Sequence, residues 1–159
     1  MRERKREGAS IVLSRINVFT RSKQGLEDIT QRVNDLVRRS GVEEGICYLF
    51  VSHTTAGIMI NENADPSVGR DILDRLDALV PDKGSYQHLE GNAPAHIKST
   101  LTGLSLTVPV DKGRLALGRW QGVFLCEFDG PRDRTILVQV LSSQAAKTGE
   151  SPQREAGQP

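Results

Sequence analysis

The last third of the chain alternates apolar and polar residues with no helical period, and this pattern limits the fold more than any other. Leucines and valines take every second position from Leu104 to Val110, which is the period of a strand with one buried face. Asp111-Lys112-Gly113 follows as a tight turn, and a short run then resumes the alternation. Two more strand-like runs cover Trp120 to Phe128 and Thr135 to Leu141. Successive strands without a helix between them predict antiparallel pairing here.

The first two thirds of the chain mix strands with amphipathic helices. The predicted elements are strands at 10–20, 46–51 and 57–60, and helices that begin near Thr30, Pro66 and Ala93. Asp65 and Pro66 are a typical N-cap and first helical residue, and apolar residues recur at helical spacing after them. Only a short turn separates the strands at 46–51 and 57–60, so we expect them to pair as a hairpin. The order of elements predicts an α+β fold, in which a largely antiparallel sheet or sandwich carries two main helices and one short helix on its outside.

Length, charge and composition limit the domain organisation and the partners. A chain of 159 residues makes one domain, which we place at 10–142 between a flexible basic start at 1–9 and a disordered tail at 143–159. The net charge of +1 and the aromatic content of 4% argue against a nucleic-acid partner. No apolar stretch has the form of a secretory signal or the length of a membrane span. We therefore expect a cytoplasmic protein that does not bind membranes.

Three histidines are the clearest candidates for chemistry. His53 follows the strand at 46–51, and His88 and His96 lie further along the chain, each flanked by small or hydroxyl residues rather than by core residues. Neutral imidazole nitrogens suit zinc and similar divalent ions, and a catalytic zinc site uses three protein ligands. The sequence favours a divalent metal site if the three side chains converge. Three unrelated histidines are the alternative, because their spacing matches no compact metal motif.

Carboxylates and cations complete the candidate site. Glu62 and Glu127 are the better candidates for a general base. Arg132 and Arg134 could hold an anion such as phosphate together with a nearby lysine. Ion pairing of Glu127 with one of these arginines is the alternative for that residue. The residues expected to contact a small, phosphorylated ligand are Thr54, Asn61, Lys98, Ser99 and Trp120.

Six short motifs, in order along the chain, resemble one protein family. They are HTTAG at 53–57, NEN-AD at 61–65, Y-H-EGN at 86–92, AHIKS at 95–99, LG-WQG at 117–122 and EFDGPR-R at 127–134. The resemblance extends from about Ser10 to Leu141, which is nearly the whole predicted domain. On these motifs the chain is similar to the YjbQ-like family, also called the secondary thiamine-phosphate synthase family.

This resemblance implies more than the residues alone do. It implies a two-sheet β core assembled as a homotrimer, and a site built from His53, His88 and His96 with zinc as the metal ion. It also implies a weak thiamine-phosphate synthase activity, which joins a hydroxymethylpyrimidine diphosphate to a thiazole phosphate and releases pyrophosphate. Two other functions fit the same residues. One is a metal-dependent hydrolase, in which a water held by the histidines is the nucleophile, and the other is a metal or metabolite binder without catalysis.

Overall fold

The structure is a computed structural model that describes residues 13–143. The predicted flexible start at 1–9 lies outside the described residues, as does all of the predicted tail except Ser143. The elements are β1 Leu13–Phe19, β2 Gly25–Asp28, α1 Thr30–Ser40, β3 Gly45–Val51, β4 Ala56–Glu62, α2 Pro66–Leu79, α3 Ala93–Thr102, β5 Ser105–Asp111, β6 Arg114–Leu115, β7 Gln121–Glu127 and β8 Asp133–Ser142. No helix in this described part of the chain is long and apolar enough to cross a bilayer.

The strands form two antiparallel sheets, which confirms the predicted α+β fold. One sheet has five strands in the order β1-β8-β3-β5-β6, and the other has three in the order β2-β7-β4. Every pairing between neighbouring strands is antiparallel. The late strands β5, β7 and β8 pair with early ones, so the chain closes both sheets only when its last third is in place.

The predicted hairpin between the third and fourth strands is wrong. β3 pairs with β5 and β8 in the large sheet, whereas β4 pairs with β7 in the small one. The connection Ser52–Thr55 carries the chain from one sheet to the other. It holds no glycine or asparagine with positive φ, which the favoured two-residue hairpin turns require. The polar residues of this stretch therefore lie at the end of the sandwich rather than at the tip of a hairpin.

The core fills the space between the two sheets. Leu49, Val51 and Ile136 of the large sheet face Ile58 and Leu125 of the small one, and all five are fully buried. Alternate residues of each strand point away from this layer, as a sandwich requires. One helix closes the layer: α1 adds two fully buried valines to the same core, and it ends at a glycine in the left-handed conformation.

The other two helices lie on the outer face of the small sheet. α2 begins as the sequence predicts, because the Asp65 side chain accepts a hydrogen bond of 2.8 Å from the Ser67 backbone N–H and Pro66 follows it. α3 contacts β4 directly. A second, smaller apolar cluster joins these helices to the sheet and includes Cys126 and Phe128. The two helices thus cover the small sheet. The first part of α3 borders one of the candidate sites described below, and the first part of α2 borders the other.

Gly57 in β4 gives a direct test of this packing. A Cβ atom there would lie 2.0 Å from Thr102 Oγ1 and 2.9 Å from the Gly103 carbonyl oxygen, so alanine cannot fit without moving α3. We expect Gly57→Ala to lower the free energy of unfolding by about 1–3 kcal/mol, the range of an overpacked core. Gly25→Ala is the matched control, because nothing lies within 4 Å of its Cβ position. Urea unfolding of both variants measures the difference, and equal losses would contradict the close approach of α3 to β4.

Candidate functional site

An open polar pocket of about 680 Å³ lies where the chain crosses between the sheets. Five segments meet there: the end of β1, the crossing at 52–55, the loop before α3, α3 itself, and the connection from β7 to β8 with the first residues of β8. The lining residues are Phe19, Ser52, His53, Thr54, Thr55, Glu90, Asn92, His96, Asp129, Pro131, Arg132, Asp133 and Arg134. Segments distant in sequence therefore contribute to one site, which we call the histidine pocket.

All three histidines lie in or beside the histidine pocket. His53 and His96 line it directly. The ring of His88 stands against that of His96, with ring centres 5.2 Å apart and ring planes nearly perpendicular. Glu90 lies next to this pair, with its Oε2 atom 3.8 Å from Nε2 of His88. A strand end, a loop and a helix thus bring these side chains to one place, although their role as metal ligands stays a prediction.

The arrangement can be tested against the needs of a metal ion. Two imidazoles bound to one tetrahedral ion through nitrogens about 2 Å from it have ring centres about 5 Å apart, and the 5.2 Å between His88 and His96 fits this. His53 fits less well, because its Nε2 atom accepts a hydrogen bond of 2.8 Å from the Thr135 backbone N–H. Within residues 13–143 no three His, Cys, Asp or Glu side chains already have the geometry of a metal site. The donor chemistry fits zinc, and His53 would have to release Thr135 to join it.

His53 is held neutral by its surroundings. Burial lowers its pKa below the usual value of 6.5, and the positive charge of Arg134 lowers it further, whereas Glu127 acts in the opposite direction. With Nε2 accepting from Thr135, the single proton of the neutral ring is on Nδ1. In this state His53 offers one N–H donor to a ligand in the pocket.

A buried ion pair forms the base of the pocket. Glu127 and Arg134 are 1% and 3% exposed. The guanidinium group donates from Nε to Oε2 at 2.8 Å and from Nη2 to Oε1 at 2.5 Å. The same Nη2 atom also donates to the Thr55 hydroxyl at 2.9 Å, on the crossing between the sheets. The pair therefore connects β7, β8 and the crossing that carries His53.

This geometry corrects the predicted role of Glu127. Its carboxylate also accepts from the Thr20 hydroxyl and from the backbone N–H groups of Phe128 and Asp129. Burial alone would raise the pKa of Glu127, but the hydrogen bond from Arg134 and those from Asp129 and Thr20 outweigh burial and lower it. A carboxylate that is enclosed, ionised and fully hydrogen-bonded cannot exchange protons with a ligand. The ion-pair alternative is the one observed.

Arg132, unlike Arg134, remains accessible to a ligand. Its side chain is half exposed and forms an ion pair with Asp129, with Nη2 2.9 Å from Oδ2. Asp129 also accepts a hydrogen bond from the Asn92 side chain at 3.1 Å. Burial would raise the pKa of Asp129, but these hydrogen bonds outweigh it, so the carboxyl is ionised at neutral pH. A guanidinium group has five N–H donors, so Arg132 retains donors for an anion in the pocket.

Lys98 and Ser99 do not lie in the histidine pocket. Both are buried on α3, where Lys98 forms an ion pair with Asp77 and donates to Gln24 Oε1 at 3.1 Å. The Ser99 hydroxyl donates to the Ala56 carbonyl oxygen at 2.7 Å. These two residues therefore fasten α3 to its neighbours. His96 and Ser99 lie on the same helix, yet the neighbouring elements cover Ser99 and leave His96 at the pocket.

Glu62, Asn61 and Trp120 lie at the other end of the molecule. β4 runs for seven residues from Ala56 beside the histidine pocket to Glu62, a length of about 20 Å in a strand. Glu62 and Asn61 line a different cavity, and Trp120, which is 55% exposed, stacks with the Arg119 guanidinium group. These three residues, which the sequence assigned to one site with the histidines, thus lie outside the histidine pocket, because an extended strand separates its two ends as far as its length allows.

Asn92 is a pocket residue that the sequence did not identify as one. Its position before α3 predicts an N-cap, yet its side chain makes no cap hydrogen bond and donates to Asp129 instead. Its Oδ1 atom is buried and has no partner among the described residues. The sequence offered one signal that Asn92 belongs to the pocket. Asn92 ends the EGN triplet, which follows His88 closely in a loop segment.

Comparison with known proteins assigns this chain to a family. The family profile described as UPF0047 protein YjbQ-like matches residues 14–143. The chain belongs to the YjbQ-like (UPF0047) family. It is 45% identical over 133 residues to a UPF0047 protein of Methanocaldococcus jannaschii, covering 84% of this chain and 96% of the relative. It is 43% identical over 131 residues to YugU of Bacillus subtilis, covering 82% and 99%.

Solved structures of the family agree with the fold. A YjbQ/UPF0047 protein from Clostridium acetobutylicum is 48% identical and superimposes with a TM-score of 0.79, covering 80% of this chain and 99% of that protein. A protein of unknown function from Sulfolobus solfataricus is 37% identical with a TM-score of 0.81, covering 84% and 99%. Membership in the YjbQ-like family thus supports the two-sheet fold, and the reaction must be argued from the site.

The Glu127–Arg134 pair makes a prediction about stability and pH. Arg134→Met leaves a buried carboxylate without its partner, so we expect a loss of about 3–5 kcal/mol in the free energy of unfolding at neutral pH. Glu127 has a lowered pKa in the folded wild type, so its contribution is present above its unfolded value of 4.5 and is lost as the pH falls below that. In the variant, burial without Arg134 raises the pKa of Glu127 instead. The difference in the free energy of unfolding between wild type and variant therefore becomes smaller in acid.

Urea unfolding at about pH 7 and about pH 4.5 measures both parts of this prediction. Arg132→Met is the matched control, since it removes the same group from a half-exposed pair, which is worth about 0–1 kcal/mol. Similar losses in the two variants, or a difference that does not change with pH, would contradict the role given to the buried pair.

Proposed function

We propose that this YjbQ-like protein binds a divalent metal ion of the zinc class in the histidine pocket and acts there on a small phosphorylated ligand. One observation carries the proposal: of the three histidines of the chain, His53 and His96 line the same pocket and His88 packs its ring against that of His96. Neutral imidazoles are the ligands that zinc prefers, and the lowered pKa of His53 keeps that ring neutral.

The three histidines would hold the ion together. His88 and His96 are already at a suitable separation. His53 would have to exchange its hydrogen bond with the Thr135 backbone for the ion, and such a bond is worth only about 0.5–1.5 kcal/mol. Binding of zinc to a site with imidazole ligands yields several times more than this. The rearrangement of one ring is therefore a small cost.

The remaining residues of the pocket would act on the ligand. A bound divalent ion supplies positive charge and Lewis acidity. Arg132 would donate to phosphate oxygens, and Asp129 keeps its guanidinium group in place. Thr54 lies on the pocket wall and can donate a hydroxyl hydrogen bond. Glu127 and Arg134 act indirectly, because they position the crossing that carries His53.

Thiamine-phosphate synthesis is the reaction to which the family resemblance points. The pocket gives it limited support, since Arg134 is buried in an ion pair with Glu127 and Arg132 is shared with Asp129. Diphosphate transfer is usually assisted by hard, oxygen-ligated ions, whereas imidazoles prefer softer ones. Pyrophosphate release from the two thiamine precursors, followed with zinc and with magnesium, is the direct assay of this reaction.

A metal-dependent hydrolase is the second candidate, and one observation favours it. Glu90 and Asp133 line the histidine pocket, and Glu90 lies beside His88, so a carboxylate that can accept a proton is present where the sequence placed Glu127. Turnover that is lost in Glu90→Gln with metal content unchanged would favour hydrolysis over transfer. Tight ligand binding without turnover would favour a protein that binds without catalysis.

Metal analysis tests the shared basis of these functions. We expect about one zinc or similar ion per chain in protein incubated with zinc and then desalted, because three converging imidazoles form one site. His96→Ala and His88→Ala should lose it, since each removes a ligand from the pair that already fits. Leu101→Ala, an exposed position on the same helix, is the control and should keep it.

Two measurements make this test decisive. Circular dichroism of each variant separates loss of metal from loss of fold. His53→Ala tests the ring rearrangement, because a variant that keeps its metal would remove His53 from the ligand set. Absence of metal in the wild type after zinc incubation would contradict the proposal as a whole.

We also propose that the protein assembles as a homotrimer, a state that the family resemblance implies. Support comes from the outer face of the five-stranded sheet, where Tyr48, Phe50 and Leu137 form an open apolar depression. Leu13 and Ile46, on the same sheet, are exposed apolar residues. An apolar sheet face of this kind supports association between subunits, because exposed apolar patches are typical of interaction surfaces. In a cyclic trimer, each of the three subunits would bury this face.

Light scattering coupled to gel filtration measures the assembly. We expect the wild type to have three times the 17.5 kDa mass of the chain. A Phe50→Lys, Leu137→Lys double variant should shift to the monomer, because two charges on an apolar interface are costly to bury. Gln31→Lys, an exposed position on α1, is the control. A monomeric wild type, or a double variant that stays trimeric, would contradict the proposed surface.

A further inference from the structure

A second cavity lies between α2 and the small sheet, at the end of β4 opposite to the histidine pocket. Its volume is about 320 Å³, within the range of small-molecule sites. Met59, Asn61 and Glu62 of β4 line one side, and Gly69 and Leu73 of α2 line the other. No residue lines both cavities. We call this second cavity the α2 cavity.

The floor of the α2 cavity is apolar. Leu26, Met59 and Leu73 belong to the partly buried layer that packs on the second apolar cluster, and Phe124 adds a half-buried aromatic ring. These side chains leave a concave space between helix and sheet rather than closing it. A concave apolar floor with a few polar groups at its edge is the usual form of a small-molecule site.

The rim of the α2 cavity is acidic. Asp28, Glu62 and Asp65 line it, against the single cation Arg70, whereas the chain as a whole has a net charge of +1. Asp65 caps α2, and Asp28 accepts hydrogen bonds from Thr30. The Glu62 carboxylate makes no hydrogen bond or ion pair with any residue between 13 and 143. One half-buried carboxylate at the rim is thus available for a ligand.

We propose that the α2 cavity binds a small organic cation whose apolar body rests on the Met59 and Phe124 floor and whose positive group pairs with Glu62. Complementary charge selects the ligand class, since three carboxylates against one guanidinium group disfavour an anion. The Phe124 ring adds attraction for a cation that passes over its face. The site needs neither the histidines nor a metal ion, so it stands whether or not the proposed function holds.

Met59 gives this proposal a specific probe. The chain has two methionines, Met1 and Met59, and Met59 is on the cavity floor. Protein labelled with ¹³C at the methionine methyl groups should therefore report the cavity through one resonance. Benzylammonium, titrated in the presence of a metal chelator, should shift the Met59 resonance saturably and leave that of Met1 in place. Benzyl alcohol, which has the same apolar body without the charge, should bind more weakly.

Two variants test the assignment to Glu62. We expect Glu62→Gln to weaken benzylammonium binding about threefold to fivefold and to leave benzyl alcohol binding unchanged, because only the charged pair is lost. Glu43→Gln removes an exposed carboxylate outside the cavity and should change neither. A Met59 resonance that does not move, equal binding of the charged and neutral probes, or unchanged benzylammonium affinity in Glu62→Gln would each overturn the proposal.

Discussion

The buried pair of Glu127 and Arg134 is the interaction on which the histidine pocket depends. It joins the end of β7 to the start of β8, and it reaches the crossing between the sheets through the Thr55 hydroxyl. Two charges taken out of water are costly unless each is paired and hydrogen-bonded. Here the carboxylate has five donors from four residues, counting Arg134 twice with Thr20, Phe128 and Asp129. A network satisfied in this way favours one arrangement of the pocket wall over all others.

The same pair sets the chemistry of the nearest histidine. Burial and the positive charge of Arg134 lower the pKa of His53 and keep the ring neutral, and the opposing effect of the Glu127 carboxylate is smaller. A neutral imidazole has a nitrogen lone pair that can bind a metal ion and one N–H that can donate, whereas a protonated imidazole can only donate, from both nitrogens. Glu127 and Arg134, which the sequence suggested as a general base and an anion-binding group, are instead bonded to each other and to the Thr55 hydroxyl, so they fix position and charge in the pocket wall.

Local sequence patterns predicted the helices and strands well, but they could not predict which strands pair across long stretches of the chain. The alternation in β5 and the Asp65–Pro66 start of α2 are properties of neighbouring residues, so the sequence displayed both. The partner of β3 was not visible in the same way, because β3 pairs with strands more than fifty residues later while β4 is only four residues away. A short connection between two strands makes a hairpin the default prediction. Here the buried faces of β3 and β4 belong to opposite sheets, and packing overrides proximity.

The split of the predicted site follows from the same geometry. His53 and Glu62 are nine positions apart, and in a helix or a compact loop such residues can share a site. In this protein an extended strand lies between them. The two residues are therefore close in sequence but lie at opposite ends of the small sheet. His96 and Arg132 are far apart in sequence, yet both line the pocket with His53 because α3 and the β7–β8 connection close over the crossing. Each end of β4 therefore gathers its own set of polar residues on its own cavity, and a ligand at one end can be recognised independently of a ligand at the other.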